Sequence, residues 1–281
     1  MNAPPGVPAP AIVGRHSPRL ARLRRISHRQ EADLTVADGL RLVKDLLAAG
    51  VPIRELYATP ERFAALADVA AVKALAKAGR VYLLDPQTMQ HVAPTTQAQG
   101  LLAVVAEPPS RLPAKGIVLF LDRLQDPGNL GSVIRCAAAL GASGVACSPG
   151  CADPFAPRAI RASAGQSLFL PIATEVSFPS LAAAVRGRGG EVAATSGSGG
   201  RPLSGWRPRM PLLLALGNEG QGLTTEILAE SGTLVTIPLT GGVESLNVAV
   251  AAGIILASVG LVGSPILVGE EGCCYDSPPR H

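Results

Sequence analysis

Apolar and polar positions change rhythm midway along the chain. After residue 116, continuous apolar runs predict strands at Ile117–Leu121, Gly144–Cys147, Glu191–Thr195, Leu212–Leu216 and Thr233–Leu239. Between them, helical spacing predicts helices over Leu130–Leu140, around Pro157–Ala164, Pro179–Arg186, Thr224–Glu230 and Leu246–Val262. Strands this apolar, regularly separated by helices, imply a parallel sheet covered on both faces. Ligands of such sheets bind beyond the C-terminal strand ends.

Before residue 107 the elements are shorter. Ala37–Ala49 carries Leu40, Val43, Leu46 and Leu47 at helical spacing, with Gly50 at the stop. Strands follow at Ile53–Ala58 and Arg80–Leu84, with one or two Ala-rich helical pieces over Glu61–Ala78 between them. A short helix at Met89–Val92 precedes a return to the sheet over Thr95–Val105. The Pro-rich, charged stretch Glu107–Lys115 marks a boundary. The expected division is a basic, flexible arm over 1–30, a small α/β domain over 31–106, a linker over 107–115, a larger α/β domain over 116–262 and a tail over 263–281.

With 281 residues and 47% hydrophobic content, the chain can bury a substantial core in one large or two unequal domains. The net charge of +4 is modest, but its placement is uneven. Arg15, Arg19, Arg22, Arg24, Arg25 and Arg29, with His16 and His28, form a run without an acid. Such a run suits a phosphate backbone, or is simply a solvated arm. The Pro-rich segment from Met1 to Gly14 has no apolar core preceded by positive charge, so no secretory signal is expected and the protein is placed in the cytoplasm. Leu246–Val262 is apolar enough to imitate a membrane span, yet Asn247, Gly253, Ser258 and Gly260 interrupt it. A helix buried in the core or at a subunit contact is expected instead, with no membrane partner. Five cysteines without C-x-x-C spacing, and few histidines, point to neither a disulfide framework nor a zinc site.

Three polar stretches fall at predicted strand ends. In Leu121–Gly141, Asp126-Pro127-Gly128 forms a turn, Asn129 is placed as the helix N-cap, and Arg135 stands among Ile134, Cys136 and alanines. An arginine in that company needs an anion, either a carboxylate within the protein or a phosphate. In Leu212–Thr225, a strand ends at Gly217, and Gly220 and Gly222 allow a tight loop from which Asn218 and Glu219 project. This is not a dinucleotide or Walker fingerprint, and a plain turn needs the same glycines. In Ile237–Ala252, a Gly-Gly turn delivers Glu244, Ser245 and Asn247 to an apolar helix, with Ser245 placed as its cap. Asn247 must find a neighbouring partner or face a ligand. Thr195, ending a strand beneath a Gly/Ser loop, is a further candidate.

Taken together, D-P-G-N-L-G-S-V-I-R, L-G-N-E-G-Q-G-L and I-P-L-T-G-G-V-E-S-L-N-V-A-V-A-A resemble the three motifs of the SpoU (TrmH-like) RNA 2′-O-methyltransferases of the SPOUT superfamily, in order and spacing. Residues 37–106 resemble the ribosomal-protein-like RNA-binding domain that many such enzymes carry. The resemblance implies a deep trefoil knot in the parallel-sheet domain, S-adenosylmethionine as methyl donor, a homodimer, and RNA as substrate with no metal required. It implies cofactor contacts from Thr195, Gly217, Ile237 and Leu246, and a catalytic network of Asn129, Arg135, Glu219, Ser245 and Asn247. It favours 23S ribosomal RNA over transfer RNA, with a non-catalytic RNA-binding member of the fold as the rival from another class. The larger domain holds no histidine, so the usual general base is missing.

If the arginine run carries RNA, deleting residues 1–30 is expected to weaken RNA binding and flatten its salt dependence, measured by fluorescence anisotropy across a salt series.

Overall fold

The computed structural model describes residues 9–95, 98–197, 199–218, 220–240 and 245–263; Cys273 and Cys274 lie outside them. Its first sheet contains β1 (Ala11–Ile12), β2 (Leu34–Asp38), β3 (Ile53–Ala58), β4 (Val81–Leu83) and β5 (Leu101–Ala106), in the order β1-β4-β3-β5-β2. β1, β4 and β3 are parallel, and β5 runs antiparallel to β3 and to β2. Helices α1 (Pro18–Ser27), α2 (Leu40–Ala48), α3 (Pro60–Ala64), α4 (Ala70–Lys77) and α5 (Pro86–Val92) accompany it.

The second sheet is wholly parallel, in the order β10-β12-β9-β11-β6-β7-β8. Its strands are β6 (Ile117–Leu121), β7 (Gly144–Cys147), β8 (Ile172–Ala173), β9 (Glu191–Thr195), β10 (Arg201–Pro202), β11 (Leu212–Leu216) and β12 (Thr233–Thr236). Every residue of β6, β7 and β11 is buried, because helices α6 (Pro127–Ala139), α7 (Pro157–Ala162), α8 (Phe178–Arg186), α9 (Thr225–Glu230) and α10 (Val248–Gly263) cover the sheet. No described helix is long and apolar enough to cross a membrane.

The N-terminal third departs from the pattern reading in three places. The flexible arm expected over residues 1–30 contains β1, paired with β4, and the helix α1. Ser17 caps α1, Pro18 occupies its first turn, and Leu20, Leu23 and Ile26 are buried against Tyr57 and Leu102. Their spacing is helical, but the surrounding arginines hide it. Removing residues 1–30 would therefore strip core side chains, so that deletion reads folding as well as RNA contact. Ala37 and Asp38, expected to open a helix, end β2 instead, where alternation turns Val36 towards α1 and Ala37 towards the larger domain. The strand expected to start at Thr95 begins only at Leu101.

The two sheets share one hydrophobic core. Ala37 and Val105 of the first sheet, with Val43 and Leu46 of α2, belong to the same buried cluster as Leu119 of the second sheet, Leu130 of α6 and Ile160 of α7. Thr35 Oγ1 donates to Phe155 O at 2.8 Å within it. Beside this core sits a polar clasp. Arg29 Nε donates to Asp153 Oδ2 at 2.5 Å and Nη1 to Leu34 O at 2.5 Å, while Nη2 makes an ion pair with Glu107 Oε1 at 2.5 Å without hydrogen-bond alignment. Burial pushes the Glu107 carboxyl up and Arg29 opposes it.

Arg29→Ala would leave Glu107 and Asp153 facing each other without their cation. The expected cost is about 2 kcal/mol, between the values for exposed and fully buried pairs, read as a lower urea midpoint with an unchanged slope.

Candidate active site

The site begins with an acid at the end of an apolar strand. Asp122 follows β6 directly and is 3% exposed. A carboxylate so buried needs full pairing. Ser148 Oγ donates to its Oδ1 at 3.3 Å, Thr224 N donates to its Oδ2 at 3.1 Å, and Arg123 Nη2 lies 3.3 Å from Oδ2. Arg123, in a left-handed conformation with φ 50°, accepts at its carbonyl from Asn218 Nδ2 at 3.0 Å and donates from Nη1 to Gln221 Oε1 at 3.0 Å. The loops after β6, β7 and β11 are thereby tied at one point. Ser148 also neighbours Cys151, whose Sγ donates to Leu121 O at 3.2 Å.

Beside this clamp, at the C-terminal ends of β9, β11 and β12, lies a pocket of about 220 Å³. Thr195, Gly217, Ile237 and Leu246 all line it, with Ser245 at its rim. Its walls are mainly apolar, from Leu216, Val235, Leu239 and the α10 residues Val248, Ala251 and Ile255. Thr195 itself is held by a bond from Oγ1 to Ala215 O at 3.2 Å. Gly217 is required by its own loop. A Cβ there would lie 2.4 Å from Gly222 C and 2.5 Å from Leu223 N, because Asn218 and Gly222 bridge and fold the loop back. Apolar walls with strand-end backbone groups at the margin suit a flat heteroaromatic ring that has a polar edge.

Next to the pocket, α6 and α10 are stitched together by two amides. Asn247 Nδ2 donates to Asn129 Oδ1 at 3.0 Å, and Asn247 Oδ1 accepts from Ala249 N at 3.0 Å. Asn247, not Ser245, therefore caps α10, which starts at Val248 rather than Leu246. Asn129 is likewise not a cap. Asp126 caps α6, accepting from Asn129 N at 2.8 Å, with Pro127 in the first turn. An acid followed by proline is the signal that points to this start. Asp126 also pairs with Arg158 at 3.0 Å.

Arg135 stands apart from these groups. It is exposed on α6, makes no salt bridge among the described residues, and does not line the pocket. The internal ion pair weighed for it from sequence is absent among the described residues. Glu219 and Glu244 lie outside those residues. Among the arginines of the N-terminal run, Arg22 and Arg25 pair with Glu31, Arg22 also reaches Glu55, and Arg29 is held in the clasp. Arg15 is exposed and Arg24 half-buried. Pattern reading missed Asp122 and Arg123, although an acid abutting a fully apolar strand is itself a signal.

Solved structures that share this architecture are methyltransferases. An AdoMet-bound rRNA methyltransferase from Sinorhizobium meliloti superposes with a TM-score of 0.78 at 29% identity, over 90% of this chain and 98% of that one. The SpoU methyltransferase AviRb from Streptomyces viridochromogenes, in complex with AdoMet, gives 0.73 at 25% identity, over 88% and 98%. The chain belongs to the SpoU rRNA methylase family, whose model matches residues 116–257. Residues 19–103 match the MRM3-like substrate binding domain. An uncharacterized tRNA/rRNA methyltransferase of Synechocystis is 32% identical over 88% of this chain and 92% of its own. The 23S rRNA (guanosine(2553)-2′-O)-methyltransferase RlmP of Bacillus subtilis is 34% identical over 62% and 70%.

Asn247→Ala removes both a helix cap and a bond to α6, with an expected cost of about 1 kcal/mol or more. In a double-mutant cycle with Asn129→Ala, the two losses should fall short of additivity by about 0.5–1.5 kcal/mol, measured by urea unfolding.

Proposed function

We propose that the protein transfers the methyl group of S-adenosylmethionine to a ribose 2′-hydroxyl of 23S ribosomal RNA. The observation that carries this reading is the convergence of Thr195, Gly217, Ile237 and Leu246 on one apolar pocket at the sheet's C-terminal edge, next to the Asn129–Asn247 pair. The pocket's shape and chemistry fit the adenine of the donor, as do the AdoMet-bound relatives. The identity to RlmP supports ribosomal RNA and the 2′-hydroxyl. We further take the chain between β9 and α10 to be threaded as the trefoil knot of the SPOUT fold, which the superposition on SpoU structures supports.

When bound, S-adenosylmethionine supplies an already activated methyl group. The protein's own task is alignment of the two reacting atoms and stabilisation of charge as the hydroxyl loses its proton. Arg135 binds the phosphate beside the target ribose. Its guanidinium orients the substrate instead of removing the proton. Asn129, Ser245, Asn247 and Glu219 complete the network.

The position of Arg135 supports a homodimer. Within one chain it is exposed and does not line the pocket, and α10, packed on α6, exposes Val250 at 50% and Ile254 at 39%. An apolar strip beside a free cation fits a second copy, with Arg135 of one protomer serving the pocket of its partner.

The test is transfer of labelled methyl to separated ribosomal and transfer RNA, followed by alkaline hydrolysis. An alkali-resistant labelled dinucleotide from ribosomal RNA is expected; label confined to transfer RNA would replace the substrate, and label in alkali-sensitive products would replace the acceptor. Arg135→Ala should lower the transfer rate at least about 100-fold, as loss of a key charge stabiliser does. Calorimetric affinity for S-adenosylmethionine should change less than about twofold, because Arg135 is assigned to the RNA phosphate and not to the methyl donor.

A further inference from the structure

We propose that the RNA backbone is gripped by an arginine-lined groove on the N-terminal domain, formed by Arg19, Arg54 and Arg80 around the buried ring of Tyr82. This deepens the reading of the protein as an RNA methyltransferase and rests on it. The groove encloses about 550 Å³ and is lined by four arginines, Arg19, Arg22, Arg54 and Arg80, against one acid, Glu55. Only two of them come from the N-terminal run. The other two are distant in sequence, and each is turned outward by a specific backbone device.

Arg54 sits at a bulge. β3 pairs with β5 through Ile53↔Val105 and then Glu55↔Val104, so Arg54 is the extra residue between consecutive partners and its side chain is exposed. Bulges re-aim side chains and recur beside functional sites. Arg80 is placed by the end of α4. Gly79, with φ 68°, donates to Ala76 O at 3.0 Å, and Arg80 N donates to Leu75 O at 2.9 Å, the paired bonds of a Schellman turn. Arg80 O then accepts from Leu56 N at 2.9 Å. Its backbone is thus pinned on both sides while its side chain is exposed.

The remaining pair sets what the groove can recognise. Arg22 is neutralised by Glu31 and Glu55, at 3.1 and 2.7 Å, which makes it structural. Arg19 is fixed without losing its charge, because Nη1 donates to the Tyr82 hydroxyl at 2.7 Å and its guanidinium lies 4.5 Å above the Tyr82 ring. That stacking covers the ring, which is 4% exposed, so no base can stack there. With no aromatic face open for stacking, what the groove offers is exposed guanidiniums, whose matching partners along a nucleic acid are the phosphate oxygens. The ligand is therefore a polyphosphodiester backbone read without regard to sequence.

The test uses the full-length chain, a mixed-sequence RNA of about 20 nucleotides and oligouridylate of equal length, with affinity measured by anisotropy across a salt series. For R54A/R80A we expect affinity near 0.1 M salt to fall about tenfold and the slope of log K against log salt to flatten by about 1.4, two contacts at about 0.7 each. The thermal midpoint and the affinity for S-adenosylmethionine should match the wild type, since both residues are exposed and remote from the pocket lining. Affinity and slope equal to wild type in a folded, donor-binding variant would overturn the groove. A preference above about tenfold between the two RNAs would overturn backbone recognition. Failure of the wild type to bind S-adenosylmethionine or transfer methyl, with the groove variant still losing RNA affinity, would instead overturn the reaction and leave the groove standing.

Discussion

A single buried carboxylate governs the business end of this molecule. Asp122 interrupts an apolar sheet at the point where three loops meet, and its charge is tolerated only because a hydroxyl, a backbone amide and a guanidinium all converge on it. Each partner belongs to a different loop or to the turn that Asp122 itself begins. The neighbouring Arg123 carbonyl then holds Asn218, and the loop after β11 closes on Gly217. The pocket wall is thus a consequence of satisfying one charge. Rigidity at this edge follows from electrostatics, while the pocket's interior remains apolar and free to accept a ring.

A similar economy joins the two domains. The face of the first sheet that carries Ala37 and Val105 does not end in solvent; it merges with the core beneath α6 and α7. Arg29 then closes the polar margin across Glu107 and Asp153. The opposite face of that sheet is sealed by α1, so the small domain has an apolar layer on each side. Its arginines are consequently divided between those spent on internal acids and those left outward.

The boundaries of Ile117–Leu121, Gly144–Cys147, Glu191–Thr195 and Leu212–Leu216 were legible to the residue because buried parallel strands appear as unbroken apolar runs. The helix Pro18–Ser27 was not, since its three core positions lie among four arginines and composition outweighed period. Strands of two residues, such as Ala11–Ile12, carry no pattern at all. At the site, Thr195, Gly217, Ile237 and Leu246 were nameable through the resemblance of the motifs to a known family, but the assignment of caps was not. Asn129 and Ser245 both read as caps locally, whereas Asp126 and Asn247 hold those places and Asn129 is instead the partner of Asn247 across 118 positions. That relation exists only in three dimensions, as does the outward placement of Arg135.

The continuous core between the domains has a geometric consequence. Since no apolar seam separates them, the groove that carries Arg54 and Arg80 stands at a set distance and angle from the pocket lined by Thr195 and Leu246. The protein is then a gauge. If the groove holds the backbone as proposed, the RNA selected is one whose span from anchored backbone to target ribose matches that separation, and the folded shape of the nucleic acid becomes what is measured.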